Sequence, residues 1–182
     1  MAIALCSATT AFADEDLAAR IDASREAIKS FSGALQERLM SAMADGGPTT
    51  AIEVCNVAAP EIAQTESVAR DWSVGRTSLK LRNPDNAPDA WEVAVLHDFE
   101  ARNAAGEDPG TLDHAEMVVS NGQRTFRYMK AIGTQPLCTT CHGTSIAPEV
   151  IARLDGLYPD DQARGFTVGD IRGAFSIIQP VP

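Results

Sequence analysis

Cys138 and Cys141 stand two residues apart, and His142 follows the second thiol directly, in the run "QPLCTTCHGT" (Gln135 to Thr144). Cysteine pairs at this spacing hold zinc, cycle between dithiol and disulfide, or attach a haem. A structural zinc site needs four ligands, usually two such pairs, and only Cys55 and two distant histidines are on offer to complete it. A disulfide oxidoreductase places its pair between a strand and a helix of a βαβ unit, whereas this pair follows an expected hairpin. A plain disulfide between Cys138 and Cys141 is the simplest structural alternative. Haem attachment gives every residue type a reason. Two thiols at this separation reach the two vinyl groups of one porphyrin and form thioethers. The imidazole behind them then meets the iron from one face, and Gly143 leaves room for backbone to lie close against the ring. The expected cofactor is one covalently bound haem c, held by Cys138, Cys141 and His142.

The opposite face of such an iron takes Met, His, Cys, water or nothing. His97 falls on an expected helix and His114 at the foot of the hairpin, and both are flanked by acidic residues that favour a solvated side chain. Met117 and Met129 lie within the hairpin, with Met40 and Met43 at the end of the first helix. Methionine is a common core filler, and Met117 faces Phe126 in the expected register. Cys55 is a thiol left over once the other two are consumed. Free cysteine is also a common small buried hydrophobe, so position alone leaves the second ligand open.

The elements that must position these groups are readable from periodicity. Asp16 to Ala44 repeats apolar residues at three- to four-residue steps, including Leu17, Ile21, Ile28, Phe31, Leu35 and Leu39, as the buried stripe of a helix requires. "DGGP" (Asp45 to Pro48) stops it. A second helix capped by Thr49 or Thr50 is expected to run to about Ala63, with Ile52, Cys55, Ala59 and Ile62 on one inward face. Trp72 to Pro84 suits an irregular strand and turn. "PDAWEVAVLHDFEARNAAGE" reads as a third helix. In "AEMVVSNGQRTFRYMKAI" the Asn121-Gly122 dipeptide predicts a two-residue turn. That turn sets Met117 opposite Phe126, Ala115 opposite Tyr128, and Glu116 opposite Arg127 as a charge pair. A short helix near Pro148 to Leu154 and a last strand in "DIRGAFSIIQP" complete an α+β chain.

The 182 residues carry a formal net charge of -10. Nothing resembles the basic stripe of a nucleic-acid binder, and no apolar run reaches the roughly 18 to 20 residues of a membrane span. "MAIALCSATTAFADED" resembles the back half of an export signal, with Ala11-Phe12-Ala13 as the cleavage pattern, although no basic residue precedes it. Residues 1–13 are therefore expected to be removed, Cys6 with them, leaving one domain over 14–182 whose helical part spans about 15–64. A periplasmic or otherwise exported location agrees with covalent haem attachment.

"IEVCNVAAPEIA", "SVGRTSLKLRNPDNAPDAWE", "CTTCHGT" and "GDIRGAFSI", in this order from about Ile52 to Ile178, resemble a bacterial and cyanobacterial family of single-haem c-type proteins of unknown function. The resemblance implies a PAS-like antiparallel sheet with N-terminal helices packed against it. It also implies His142 as the proximal and Cys55 as the distal iron ligand. It transfers no role to Arg76, Lys80 or Arg82. Two buried haem propionates would need cations, and Arg76 or Arg82 are candidates for that pairing.

Two functions fit such a centre: single-electron transfer to a partner protein, and redox or gas sensing read by a partner such as a sensor kinase. A small haem enzyme of peroxidase or reductase type is the third reading. It is the weakest, because the sequence offers no evident acid–base group beyond the motif.

Overall fold

The computed structural model describes residues 8–120 and 122–181. Residues 1–7, Cys6 included, and Asn121 of the expected turn lie outside the described residues. The first element, α1 (Ala8–Arg70), is broken at Gly46 and Gly47, whose backbone angles are not helical. It is thus two arms, residues 8–45 and 48–70, meeting at the "DGGP" stop. Gly47 has φ 71° and ψ -164°, a region open essentially only to glycine. The second arm runs past the expected end at Ala63 to Arg70. Ile62 and Ala63 pack against the sheet, and Glu66 on the next turn pairs with Ser30 and Arg70. These contacts carry the helix through a polar stretch that periodicity alone cannot extend.

Four strands follow: β1 (Ser73–Thr77), β2 (Asp113–Ser120), β3 (Gln123–Gly133) and β4 (Ile171–Pro180). They form one antiparallel sheet in the order β1-β4-β3-β2. The α+β class holds, with an antiparallel sheet and N-terminal helices packed on it. The hairpin register is the expected one: Met117 faces Phe126, Ala115 faces Tyr128 and Glu116 faces Arg127.

The expected Glu116–Arg127 pair does not form. The helix α2 (Ala90–Ala104) covers that face, and Arg127 turns to Asp89 at 2.7 Å and Glu92 at 3.4 Å, over the Trp91 ring. Asp89 and Glu92 form the capping box of α2, so a buried guanidinium finds two carboxylates already placed at a helix start. Glu116 accepts instead from Trp91 Nε1.

Alternation along the strands gives the sheet two apolar faces. Phe126, Tyr128 and Ile177 meet Ala27, Ile28 and Phe31 of the first arm. Met129, Ala131 and Ala174 meet Val95, Leu96 and Phe99 of α2. A third cluster joins the second arm to α4 (Pro148–Leu157) through Ile52, Val150 and Leu154, with Cys141 packed against it. Buried Gln179 donates to Arg20 O and Ser24 Oγ, fastening the first arm to β4. Among the described residues, no helix is long and apolar enough to cross a membrane.

Candidate functional site

The motif lies on one turn of helix. Cys138 ends a short 3-10 segment (Pro136–Cys138), and α3 (Thr139–His142) follows at once. Residues three apart on a helix share a face, so both thiols point the same way and His142 stands beside them. Gly143 closes this turn by donating to Thr139 O. A Cβ on Gly143 would overlap that same carbonyl. Glycine is therefore required by the turn closing on itself.

Cys55, Cys138, Cys141 and His142 line one cavity of about 290 Å³ between the two arms of α1, the β1–β4 edge and α3. The thiol expected on the inner helix face thus reaches the motif, although it lies more than eighty residues before it. Among the described residues, no three His, Cys, Asp or Glu side chains gather closely enough to hold a bare metal ion. The donor set suits a group that spans the space between His142 and Cys55.

His142 Nδ1 lies 2.8 Å from Ala163 O and 3.1 Å from Arg172 Nε. One nitrogen cannot both donate to the carbonyl and accept from the guanidinium. The carbonyl only accepts and is the closer, so Nδ1 carries the proton and Nε2 keeps its lone pair. Burial, then the charges of Arg172 and Arg82, push the imidazole pKa down to about 3, which keeps it neutral. A neutral imidazole with its second nitrogen pinned to a carbonyl is the form that ligates metals. Burial raises the Cys55 thiol, with Arg76 and Arg82 pulling the other way. It likewise raises Cys141, so the protein's own field favours the neutral form of both thiols.

The loop after α4 holds the histidine. Phe166 donates its backbone N–H to His142 O, Gly165 to Gly143 O, and the Phe166 ring meets the imidazole edge-on. Asp161, with its side chain 1% exposed, pairs with Arg82 at 3.1 Å and Arg164 at 2.8 Å. Burial alone would raise its carboxyl, but hydrogen bonds from Arg82 and Arg164 outweigh that and hold it low. Arg82 also donates to Cys141 O at 2.6 Å.

The other candidates separate cleanly. His97 and His114 lie outside the cavity, with side chains 63% and 39% exposed, beside Glu100 and Glu116 respectively. Met129 is buried under α2, Met117 packs on the opposite face, and Met40 is exposed. Among the described residues, Met43 is the methionine that lines the cavity. Arg76 and Arg82 both line it, while Lys80 sits over the Phe166 ring. Sequence reasoning missed Arg172, Asp161 and the Ala163 carbonyl. The first had a signal, since Arg172-Gly173 within a strand invites a bulge.

A family model for Tll0287-like proteins matches residues 9–180. The chain belongs to the Tll0287-like family. Its fold is also similar to the crystal structure of the cyanobacterial heme-protein Tll0287, with a TM-score of 0.67 at 24% sequence identity, covering 90% of this chain and 96% of that one. No curated protein matches. The family match reaches beyond the four motifs, taking in nearly all of the first arm of α1 and the whole of β4.

Proposed function

We propose that this member of the Tll0287-like family is an exported haem protein that carries one haem c and works in single-electron transfer. The observation that supports it best is the meeting of three thiols and a neutral imidazole on one cavity, the Nε2 lone pair facing Arg82 Nη1 at 3.4 Å. Its structural neighbour Tll0287 is a heme-protein.

Cys138 and Cys141 would each add S–H across one vinyl C=C, sulfur to one carbon and hydrogen to the other, with nothing leaving. His142 Nε2 would ligate from the α3 side, and Cys55 Sγ from the second arm of α1. The haem supplies a one-electron couple at its iron. Cys55, as a negatively charged donor, would favour the ferric state and lower the potential, where a methionine would raise it. Ferric iron in turn would stabilise the deprotonated Sγ. Covalent attachment belongs to an exported compartment, in agreement with the Ala11-Phe12-Ala13 pattern. The partner would then be an electron carrier.

Redox or gas sensing is the second reading, and the break at Gly46–Gly47 favours it. Were a haem held there reduced, less positive charge would face Cys55, whose Sγ would then take a proton from solvent and move away with its arm. A sensor kinase would be a partner suited to that movement.

The test is an optical and EPR comparison of Cys55→Ala with the parent. Loss of low-spin thiolate features in the variant is expected. Features that survive Cys55→Ala, or that vanish instead in Met117→Ala or His97→Ala, would overturn the ligand assignment. Carbon monoxide separates the two roles: a ferrous complex favours sensing, and an unchanged ferrous spectrum favours transfer.

A further inference from the structure

Three guanidinium groups, those of Arg76, Arg82 and Arg172, line the cavity, and among the described residues no aspartate or glutamate lines it with them. Like charges gathered away from water repel and lose hydration. Burial followed by the neighbouring arginines brings Arg172 down to about 10, and burial lowers Arg76 as well.

The three are not equivalent. Arg82 has its countercharge in Asp161 and spends further donors on Cys141 O and Ala163 O. Arg76 lies over the Phe31 ring at 5.4 Å and, among the described residues, has no carboxylate partner. Arg172 donates to Ser78 Oγ and Lys80 O, both neutral acceptors.

Arg172 is in the cavity because of a register fault. Along β4, Ala174 and Ser176 face α2, while Phe175 and Ile177 face the first arm. Regular alternation would therefore send Arg172 toward α2. The ladder slips where Ile132 pairs with Gly173 but Gly133 pairs with Ile171, leaving Arg172 as the extra residue. The bulge inverts the alternation, so Ile171 joins the core under α2 and Arg172 enters the cavity. Gly173 makes this possible, since a Cβ there would overlap the Thr77 carbonyl oxygen.

The geometry points to Arg76 and Arg172 as the two cations that bind the carboxylate groups of a tetrapyrrole, with Arg82 reserved as a strut for the motif. This rests on the haem reading above. Of the two candidates the sequence offered, Arg76 and Arg82, it keeps Arg76 and sets Arg82 aside, since Asp161 already answers that charge. A ligand with two carboxylates matches the two uncompensated guanidinium groups in number and sign.

The test uses resonance Raman spectra of the haem-loaded protein, read at the carboxylate bending bands. R76Q and R172Q are each expected to shift a band. R82Q is expected to leave both bands in place and to lower the melting temperature. R76K and R172K keep the charge but lose the two-pronged fork, so their bands are expected to move too, which covers poor accumulation of the glutamine variants. Bands unmoved in these variants, with the haem mass present, would overturn the assignment while leaving the haem reading intact. A parent protein without haem mass would overturn both.

Discussion

The Nδ1 atom of His142 lies 2.8 Å from the carbonyl oxygen of Ala163, and this contact decides which nitrogen of the imidazole is available. The carbonyl takes the proton side, and Nε2 is left with its lone pair. Ala163 is itself held, because its N–H donates to Asp161 Oδ1 at 2.9 Å. A carboxylate nineteen residues beyond the motif thus fixes the tautomer of the motif's histidine. Outer partners of this kind orient a ligand as firmly as its own backbone does.

Asp161→Asn should be costly. Breaking a buried ion pair by removing one partner typically costs about 3–5 kcal/mol, and Asp161 serves two arginines. The carboxyl is held below its ordinary range, so its stabilisation is fully present above about pH 4. It is lost as pH falls further through the depressed folded value. Thermal melts of the parent and the variant should differ widely at pH 7 and converge in acid. A constant gap down to low pH would show that the charge of Asp161 is irrelevant.

Cys55→Met should raise the reduction potential, since a neutral thioether no longer favours ferric iron. Potentiometric titration of both proteins reads this directly. An unchanged potential would remove Cys55 from the iron.

Gly47→Ala should destabilise the chain by about 1–3 kcal/mol, the usual cost of a non-glycine residue in that backbone region. The second arm carries Cys55, so the optical spectrum of the loaded variant should change with its stability. Chemical denaturation and absorbance spectra check the two effects separately. A variant as stable as the parent would mean that the break tolerates a side chain.

Much of the fold could be read from the residues themselves. The Asn-Gly dipeptide set the β2–β3 register to the residue, because a two-residue turn leaves no slack and a one-residue slip would expose Phe126 and Tyr128. The Cys138–Cys141–His142 motif was equally legible from its spacing, but the short helical turn that presents it was not, because so few residues carry no periodicity. What periodicity could not supply was long-range pairing. Arg127 chose Asp89 and Glu92 over Glu116 because α2 brings its capping box onto the sheet, a packing event absent from the local pattern. Cys55 was readable as an inward thiol, but its meeting with His142 depends on how two arms fold about Gly46–Gly47. Arg172 was hidden because strand alternation points it to the wrong side, and only the bulge at Ile132–Gly133 reveals its true direction.

Gly173→Ala should disturb that bulge. The added Cβ would meet backbone oxygen rather than a movable side chain, so the β1–β4 pairing must shift and Arg172 with it. A lower melting temperature together with altered haem carboxylate bands is expected. Normal bands in the destabilised variant would show that Arg172 reaches its place without the bulge.

The most direct measurement is the intact mass of the mature protein exported from cells with a working haem-attachment system. The account requires the polypeptide plus one haem, surviving denaturation, and loss of that addition when Cys138 and Cys141 are both changed to alanine. A mature parent protein weighing no more than its amino acids would contradict it.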